Sequence, residues 1–136
     1  MANNVFEWTP QLDIGVNNMN HQHQVLIDYM NKLFQDNEEK KPKTVIVQSA
    51  KKLQDYTIRH FKEEETYLAS INYPGLDTHK LVHKNLLQQL DGHIKDFQAS
   101  GETLPSTFFD FLKFWLKAHI MGVDKKYGDF ANKKAS

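Results

Sequence analysis

The chain has 136 residues, which suffices for one domain with a hydrophobic core but is short for two. Its 17 basic and 17 acidic residues cancel, so the composition argues against nucleic acid or an anionic membrane as a partner. Cysteine is absent, which excludes disulfides, thiolate zinc sites and iron–sulfur clusters. The seven histidines are therefore the main supply of metal ligands.

The N-terminal region, residues 1–17, carries Pro10, Gly15 and apolar residues that follow no helical period. This pattern predicts an extended arm that packs on the rest of the domain. The chain shows no basic stretch followed by an apolar one at its start, and no run of about 18 apolar residues elsewhere. We therefore expect a cytoplasmic protein without a membrane span.

Four segments follow the arm, and in each of them apolar residues recur every three to four positions, as on one face of a helix. Pro42, Pro105 and the turn at 72–75 mark the connections between them. The predicted helices span about 18–37, 43–69, 76–99 and 105–121, with a C-terminal segment at 122–136. Because the connections are short and no strand-like alternation occurs, we expect an all-α, antiparallel up-down four-helix bundle forming a single domain over 1–136.

Polar side chains interrupt the apolar stripes of all four helices. Six of them stand where Leu or Ile is expected: His23, His60, Glu64, His79, His83 and His119. Two pairs among them are spaced by four residues, so the members of each pair share one face of a helix. The pattern points these groups into the core.

A single buried histidine is most often a hydrogen-bonded core residue, and Glu64 alone would fit an edge carboxylate with a buried stem. The group as a whole is harder to explain in this way. Burying polar groups without partners costs about 1–3 kcal/mol each, which is too much for a marginally stable domain. A shared metal ligand resolves the conflict, so the pattern predicts a metal site in the bundle core.

Asp124 is a further candidate ligand, but its spacing is unfavourable. It lies five residues after His119, and an ideal α-helix would carry it about 140° around the axis. Gly122 in the last turn would allow the helix to relax and return Asp124 to the core. The alternative is a solvated surface aspartate beside Lys125 and Lys126, and spacing alone does not decide between the two.

The number and type of ligands indicate the metal. Five imidazoles and two carboxylates exceed the four ligands of a structural zinc ion and include no thiolate. Two ions bridged by the carboxylates and a solvent oxygen would have six and five ligands if the histidines divide three to two. The second ion then keeps an open position, which suits iron that meets a small molecule. A metal-stapled bundle with a purely structural ion is the simpler alternative.

The candidate ligands occur in motifs that resemble the hemerythrin family, and the likeness extends from Trp8 to Tyr127. The resemblance is strongest to its single-domain bacterial members. The segments that carry it, in order and spacing, are Gln22–His23, His60–Glu65, His79–His83 and Trp115–Asp124.

This resemblance implies an up-down helical bundle, an architecture for which a hemerythrin is a standard example. It also implies two non-haem iron ions with an oxo or hydroxo bridge. One iron would be held by three histidines, the other by two, with both carboxylates bridging: His79, His83 and His119; His23 and His60; Glu64 and Asp124. The implied oxygen pocket has these wall residues: Phe61, Trp115, Leu116, Ile120 and Tyr127. His21 and His93 have no ligand role in the family pattern, and Asn20 stands where the family often has an aspartate.

The function that the resemblance implies is reversible dioxygen binding, for storage or for delivery to an oxygen-using enzyme, rather than catalysis. The alternatives are a di-iron redox enzyme, an iron- or nitric-oxide-handling repair protein, and a stand-alone oxygen sensor. Oxygen-activating bundles carry Glu-x-x-His motifs on two helices. The stripes of this chain are dominated by histidine instead, which favours binding over oxidation.

Overall fold

The structure is a computed structural model that describes residues 6–100 and 104–135. Residues 1–5 of the expected arm, the connection at 101–103 and residue 136 lie outside the described residues. A 3-10 turn at Pro10–Leu12 precedes the helices. The helices, in chain order, are α1 (Asn17–Glu38), α2 (Lys43–Ser70), α3 (Leu76–Ser100), α4 (Ser106–Lys117), a π-helix (Ala118–Asp124) and α5 (Lys125–Ala135).

The predicted four-helix bundle is confirmed. Helices α1, α2 and α3 form three of its members, and α4, the π-helix and α5 form the fourth as one continuous helical run. The connections at 39–42 and 71–75 are short, so consecutive helices reverse direction and pack against each other. Within the described residues, no helix is both long and apolar enough to cross a membrane.

One end of the bundle, which we call the apolar end, is filled by aliphatic and aromatic side chains. They are at most 2% exposed and come from all four bundle helices: Leu33, Ile46, Leu53, Leu90, Ile94 and Phe108. Fully burying such a side chain contributes about 1.5–3 kcal/mol. This end therefore supplies a large part of the stability of the fold.

The opposite end, which we call the polar end, holds the histidines and carboxylates of the four stripes. These residues lie in the first halves of α1 and α3, in the last half of α2 and near the middle of the fourth helical run. Because neighbouring helices run in opposite directions, those four segments meet at one level of the bundle. The topology thus converts four separate sequence motifs into one cluster.

The N-terminal arm packs on the bundle through buried apolar residues and through hydrogen bonds to asparagine side chains. Phe6, Leu12 and Ile14 are buried. The side chain of Asn31 accepts a hydrogen bond from the Phe6 amide at 3.0 Å and donates one to the Phe6 carbonyl at 2.8 Å. Gly128 lets α5 approach the arm closely, because a Cβ atom at this position would collide with the carbonyl oxygen of Ile14.

The end of the fourth helix differs from the expectation. The sequence predicts a helix at 105–121 followed by a C-terminal segment, whereas the helical backbone continues through the π-helix and α5 to Ala135. Gly122 does not stop the helix, because it lies within the π-helix and keeps a helical path. Helix α5 is held in place by Tyr127, whose side chain is fully buried beneath it.

Candidate metal centre

The structure brings all seven predicted ligand residues together in the polar end. One lies on α1, and α2, α3 and the π-helix each contribute two. All are 0–5% exposed: His23, His60, Glu64, His79, His83, His119 and Asp124. Their nitrogen and oxygen atoms form two overlapping groups, each with all ligand atoms within 4.8 Å of one another. Glu64 and Asp124 belong to both groups.

Glu64 directs its two oxygens toward different histidines. Its Oε1 lies 2.7 Å from Nε2 of His79 and 2.9 Å from Nε2 of His83. Its Oε2 lies 3.4 Å from Nε2 of His60 and 3.8 Å from Nε2 of His23. One carboxylate therefore spans the two groups of imidazoles.

Asp124 repeats this arrangement from the other side of the cluster. Its Oδ1 lies 3.1 Å from Nε2 of His119 and 3.2 Å from Nε2 of His79, and its Oδ2 lies 3.0 Å from Nε2 of His23. Together the carboxylates divide the imidazoles into a set of three and a set of two. The three-histidine set is His79, His83 and His119, and the two-histidine set is His23 and His60.

The π-helix explains how Asp124 reaches the cluster. In a π-helix the backbone hydrogen bond joins residues five apart, so residues at this spacing lie one above the other. His119 and Asp124 have this spacing and both point inward. Gly122 uses none of the conformational freedom of glycine here, because its φ is not positive and a Cβ atom added there would meet nothing within 4 Å. The wider turn, rather than a flexible glycine, returns Asp124 to the core.

Two outer contacts steady the cluster. Nδ1 of His60 lies 2.6 Å from the side-chain oxygen of Gln22, which is buried, and the hydroxyl of Tyr127 donates a hydrogen bond to Oε2 of Glu64 at 2.7 Å. Since the Gln22 oxygen accepts, it holds the proton of His60 on Nδ1 and leaves Nε2 to face the centre. Sequence reasoning did not assign this role to Gln22. The sequence signal for this role is that Gln22 stands directly before the candidate ligand His23.

A small cavity adjoins the cluster on the side of the two-histidine set. It offers about 10 Å³, close to the space that one water-sized molecule needs. Its walls are three imidazoles and five apolar side chains: His23, His60, His119, Leu26, Phe61, Trp115, Leu116 and Ile120. Four of the five predicted pocket residues line it. Tyr127 does not line this cavity, and its hydroxyl contacts Glu64 instead.

The buried charges stabilise one another strongly. Burial raises the pKa of Glu64, but the imidazoles that lie near its oxygens, those of His23, His60, His79 and His83, outweigh this and hold the pKa well below its ordinary value. For His23 and His79, burial lowers the pKa, but contacts with Asp124 and Glu64 raise it to about 9. The pKa of Tyr127 is raised by burial and by the negative charge of Glu64, so its hydroxyl keeps its proton and acts as a donor.

The donor atoms fit a bound metal. Among the cluster atoms that are buried without a hydrogen-bond partner within the described residues, six lie where imidazoles and carboxylates face one another: Nε2 of His23, His60, His83 and His119, and Oδ1 and Oδ2 of Asp124. Buried polar atoms are rarely left in this state, because each unpartnered group is costly. Coordination of a cation at the centre would satisfy all of them, with nitrogen and oxygen donors only.

The remaining histidines lie away from the centre. His21 is exposed on α1. His93 is half-buried at the apolar end, where its ring lies 4.9 Å from that of Phe111. Asn20 supports the arm rather than a ligand: its side chain donates to Asp13 at 2.8 Å and accepts from the Ile14 amide at 3.0 Å.

A four-helix bundle with a buried cluster of histidine nitrogens and bridging carboxylates defines a class of helical, histidine-rich metal-binding proteins. The comparisons with known proteins identify the family. The family model described as the hemerythrin HHE cation-binding domain matches residues 14–131. The chain belongs to the hemerythrin family.

Relatives and solved structures agree with this assignment. A bacteriohemerythrin of Clostridium acetobutylicum is 32% identical over 92% of this chain and 100% of its own length. A hemerythrin-like protein of Naegleria gruberi is 30% identical over 90% of both chains. A crystal structure of wild-type hemerythrin superposes with a TM-score of 0.84 at 29% identity, covering 92% of this chain and 96% of its own.

Proposed function

We propose that this chain binds two iron ions in the polar end and uses them to bind dioxygen reversibly, for oxygen storage or delivery. The observation that carries the proposal is the division of the donors by the two carboxylates. Each carboxylate turns one oxygen toward members of the three-histidine set and the other oxygen toward members of the two-histidine set. Such a donor set is suited to a pair of ions rather than to a single one.

In this proposal, His79, His83 and His119 would hold one iron, His23 and His60 would hold the other, and Glu64 and Asp124, which belong to both groups, would serve as ligands to both. Imidazole and carboxylate donors suit iron. An iron ion that has few of these donors would keep a free coordination position. The bound ions would supply the electrons that dioxygen accepts on binding and returns on release. The protein supplies fixed ligand orientations, since Gln22 and Tyr127 restrain His60 and Glu64.

The cavity beside the two-histidine set supports dioxygen as the ligand. The ion in this set would have one nitrogen donor fewer than its neighbour, and the cavity borders both of its histidines. The available volume admits a molecule of about the size of water. A diatomic gas meets this limit, whereas an organic substrate does not.

The apolar wall of the cavity supports reversible binding. Phe61, Trp115, Leu116 and Ile120 are at most 6% exposed and surround the imidazoles with hydrocarbon. They keep water and anions away from the centre, and a dry site limits side reactions that would oxidise the iron permanently. The same wall would not assist an enzyme that must admit a polar substrate.

The proposal is tested by loading the purified protein with iron, reducing it anaerobically, admitting oxygen and then removing it. We expect two irons per chain and a visible charge-transfer band that appears with oxygen and disappears when oxygen is removed. Immediate, irreversible conversion to the ferric form would contradict reversible binding and favour a redox enzyme or a sensor. Fewer than two irons per chain would contradict the paired centre itself.

A further inference from the structure

A second carboxylate follows Glu64 directly in the sequence and faces a different direction. Glu65 is 27% exposed, and its Oε2 lies 2.8 Å from Nδ1 of His83. Successive residues of an α-helix point about 100° apart, so Glu64 enters the centre while Glu65 lies along the outer edge of the His83 ring. His83 is thus held between two carboxylates, one at each nitrogen.

This contact distinguishes His83 from the other histidines of the cluster. His60 has a neutral amide, that of Gln22, at its Nδ1 atom. Nδ1 of His23 and of His119 has no hydrogen-bond partner within the described residues. Among the contacts found in the described part of the chain, His83 alone has a carboxylate at its outer nitrogen.

The contact determines which nitrogen of His83 carries the proton. An ionised carboxylate only accepts hydrogen bonds, so Nδ1 donates its hydrogen to Glu65 and the lone pair of Nε2 is directed to the centre. The ring plane is fixed as well, because Phe61 stacks on His83 with centroids 3.7 Å apart and planes 2° from parallel. A carboxylate behind an imidazole ligand also makes the ligand nitrogen more basic.

We propose that Glu65 is a positioning residue that fixes the tautomer and orientation of His83 and strengthens this histidine as a ligand to iron. The inference rests on the proposed iron-binding function and adds to it a residue that touches neither iron nor dioxygen. It also makes the two halves of the centre unequal, because only the three-histidine set includes a ligand backed by a charged group.

The test compares Glu65→Gln and Glu65→Ala with a control, Glu63→Gln. Glu63 lies on the same helix and is 47% exposed, and it pairs with Arg59 at 3.3 Å without contacting a histidine of the cluster. Iron affinity is measured by competition with a chelator. Residues behind metal ligands typically change affinity by about 10–100-fold, so we expect this loss for Glu65→Ala, a smaller one for Glu65→Gln, and none for Glu63→Gln.

A spectroscopic readout separates positioning from a general structural effect. In the iron-loaded protein, ligand imidazoles give hyperfine-shifted N–H signals in the proton NMR spectrum, and these exchange with solvent. We expect Glu65→Ala to shift or broaden one such signal, that of His83, while the melting temperature of the metal-free protein matches that of Glu63→Gln.

The possible failures are distinguishable. Wild-type protein that binds iron, together with Glu65 variants that match the control in iron affinity and in N–H signals, would overturn the role of Glu65 alone. Wild-type protein that binds no iron would overturn both this inference and the proposed function.

Discussion

The two ends of the bundle are built on the same four helical stripes but differ in what fills them. At the apolar end the stripe positions hold side chains such as Leu53 and Leu90, which gain free energy simply by leaving water. At the polar end the same positions hold imidazoles and carboxylates, which lose hydration on burial and need partners. One end therefore stabilises the fold by itself, whereas the other depends on what it binds.

The largest effect is expected from the residue common to both halves of the polar end. Replacing Glu64 with alanine removes both oxygens that face the histidine sets. We expect iron affinity to fall by more than about 100-fold, beyond the range seen for residues behind the ligands. Metal analysis after gel filtration measures this, with Glu63→Ala as the control. A Glu64→Ala protein that retains two irons would contradict the prediction that iron binding at the polar end depends on Glu64.

The matching change at the apolar end is Leu53→Ala. Leu53 is fully buried, so its truncation should leave a cavity and lower the free energy of unfolding by about 2–5 kcal/mol. Iron content should be unchanged, because Leu53 does not contact the cluster. Urea denaturation measures the loss, and Leu81→Ala, at a position 62% exposed, should change stability by less than about 0.5 kcal/mol. Loss of iron from Leu53→Ala would show that the ends are coupled.

Tyr127 joins α5 to the polar end through its hydrogen bond to Glu64. Hydrogen bonds to charged groups contribute about 1.5–3 kcal/mol, so Tyr127→Phe should lower the free energy of unfolding by about this amount in the metal-free protein. The ring is retained, so packing is preserved. Chemical denaturation of the metal-free protein checks the prediction. Equal stability of Tyr127→Phe and wild type would show that this hydrogen bond makes no net contribution to the free energy of unfolding.

The cavity wall should control how long the oxygenated state persists. Leu116→Ala opens the dry side of the cavity to water, and we expect autoxidation to accelerate roughly tenfold, equivalent to about 1.4 kcal/mol in the barrier. Stopped-flow absorbance of the oxygenated protein measures the rate. Leu112→Ala is the control, because Leu112 is equally part of the core but does not line the cavity. Equal rates in the two variants would contradict the role of the wall.

The most gradual effect is a pH dependence of the metal-free protein, because it is spread over several pH units. Because the pKa values of His23 and His79 rise from 6.5 to about 9 on folding, their stabilisation is complete below pH 6.5 and disappears as the pH rises through 9. The loss is at most about 1.4 kcal/mol per pH unit for each histidine. The lowered pKa values of Glu64 and Asp124 act oppositely, so their stabilisation disappears in acid. Thermal melts between pH 5 and pH 10 check this, and a melting temperature that stays constant above pH 6.5 would contradict it.

Much of the fold and six of the seven residues of the candidate centre could be predicted from local sequence patterns, whereas Asp124 was assigned through the family resemblance. Helical periodicity alone indicated that His60 and Glu64 share a face, and that His79 and His83 do. The end of the fourth helix could not be predicted in this way, because Gly122 and the spacing from His119 to Asp124 both suggest an interrupted α-helix. Nor could the contacts of Gln22 and Glu65, since each joins residues on different helices.

The sequence by itself determined which side chains face inward and that too many of them are polar for an ordinary core. This follows from the fixed period of the α-helix, which is a local property. The tertiary structure decided how these groups pair: the π-helix returns Asp124 to the centre, the two carboxylates divide the histidines three to two, and Tyr127 turns to Glu64 rather than to the cavity. These arrangements depend on how the helices are rotated and shifted against each other, which packing of the whole bundle determines and no local pattern records.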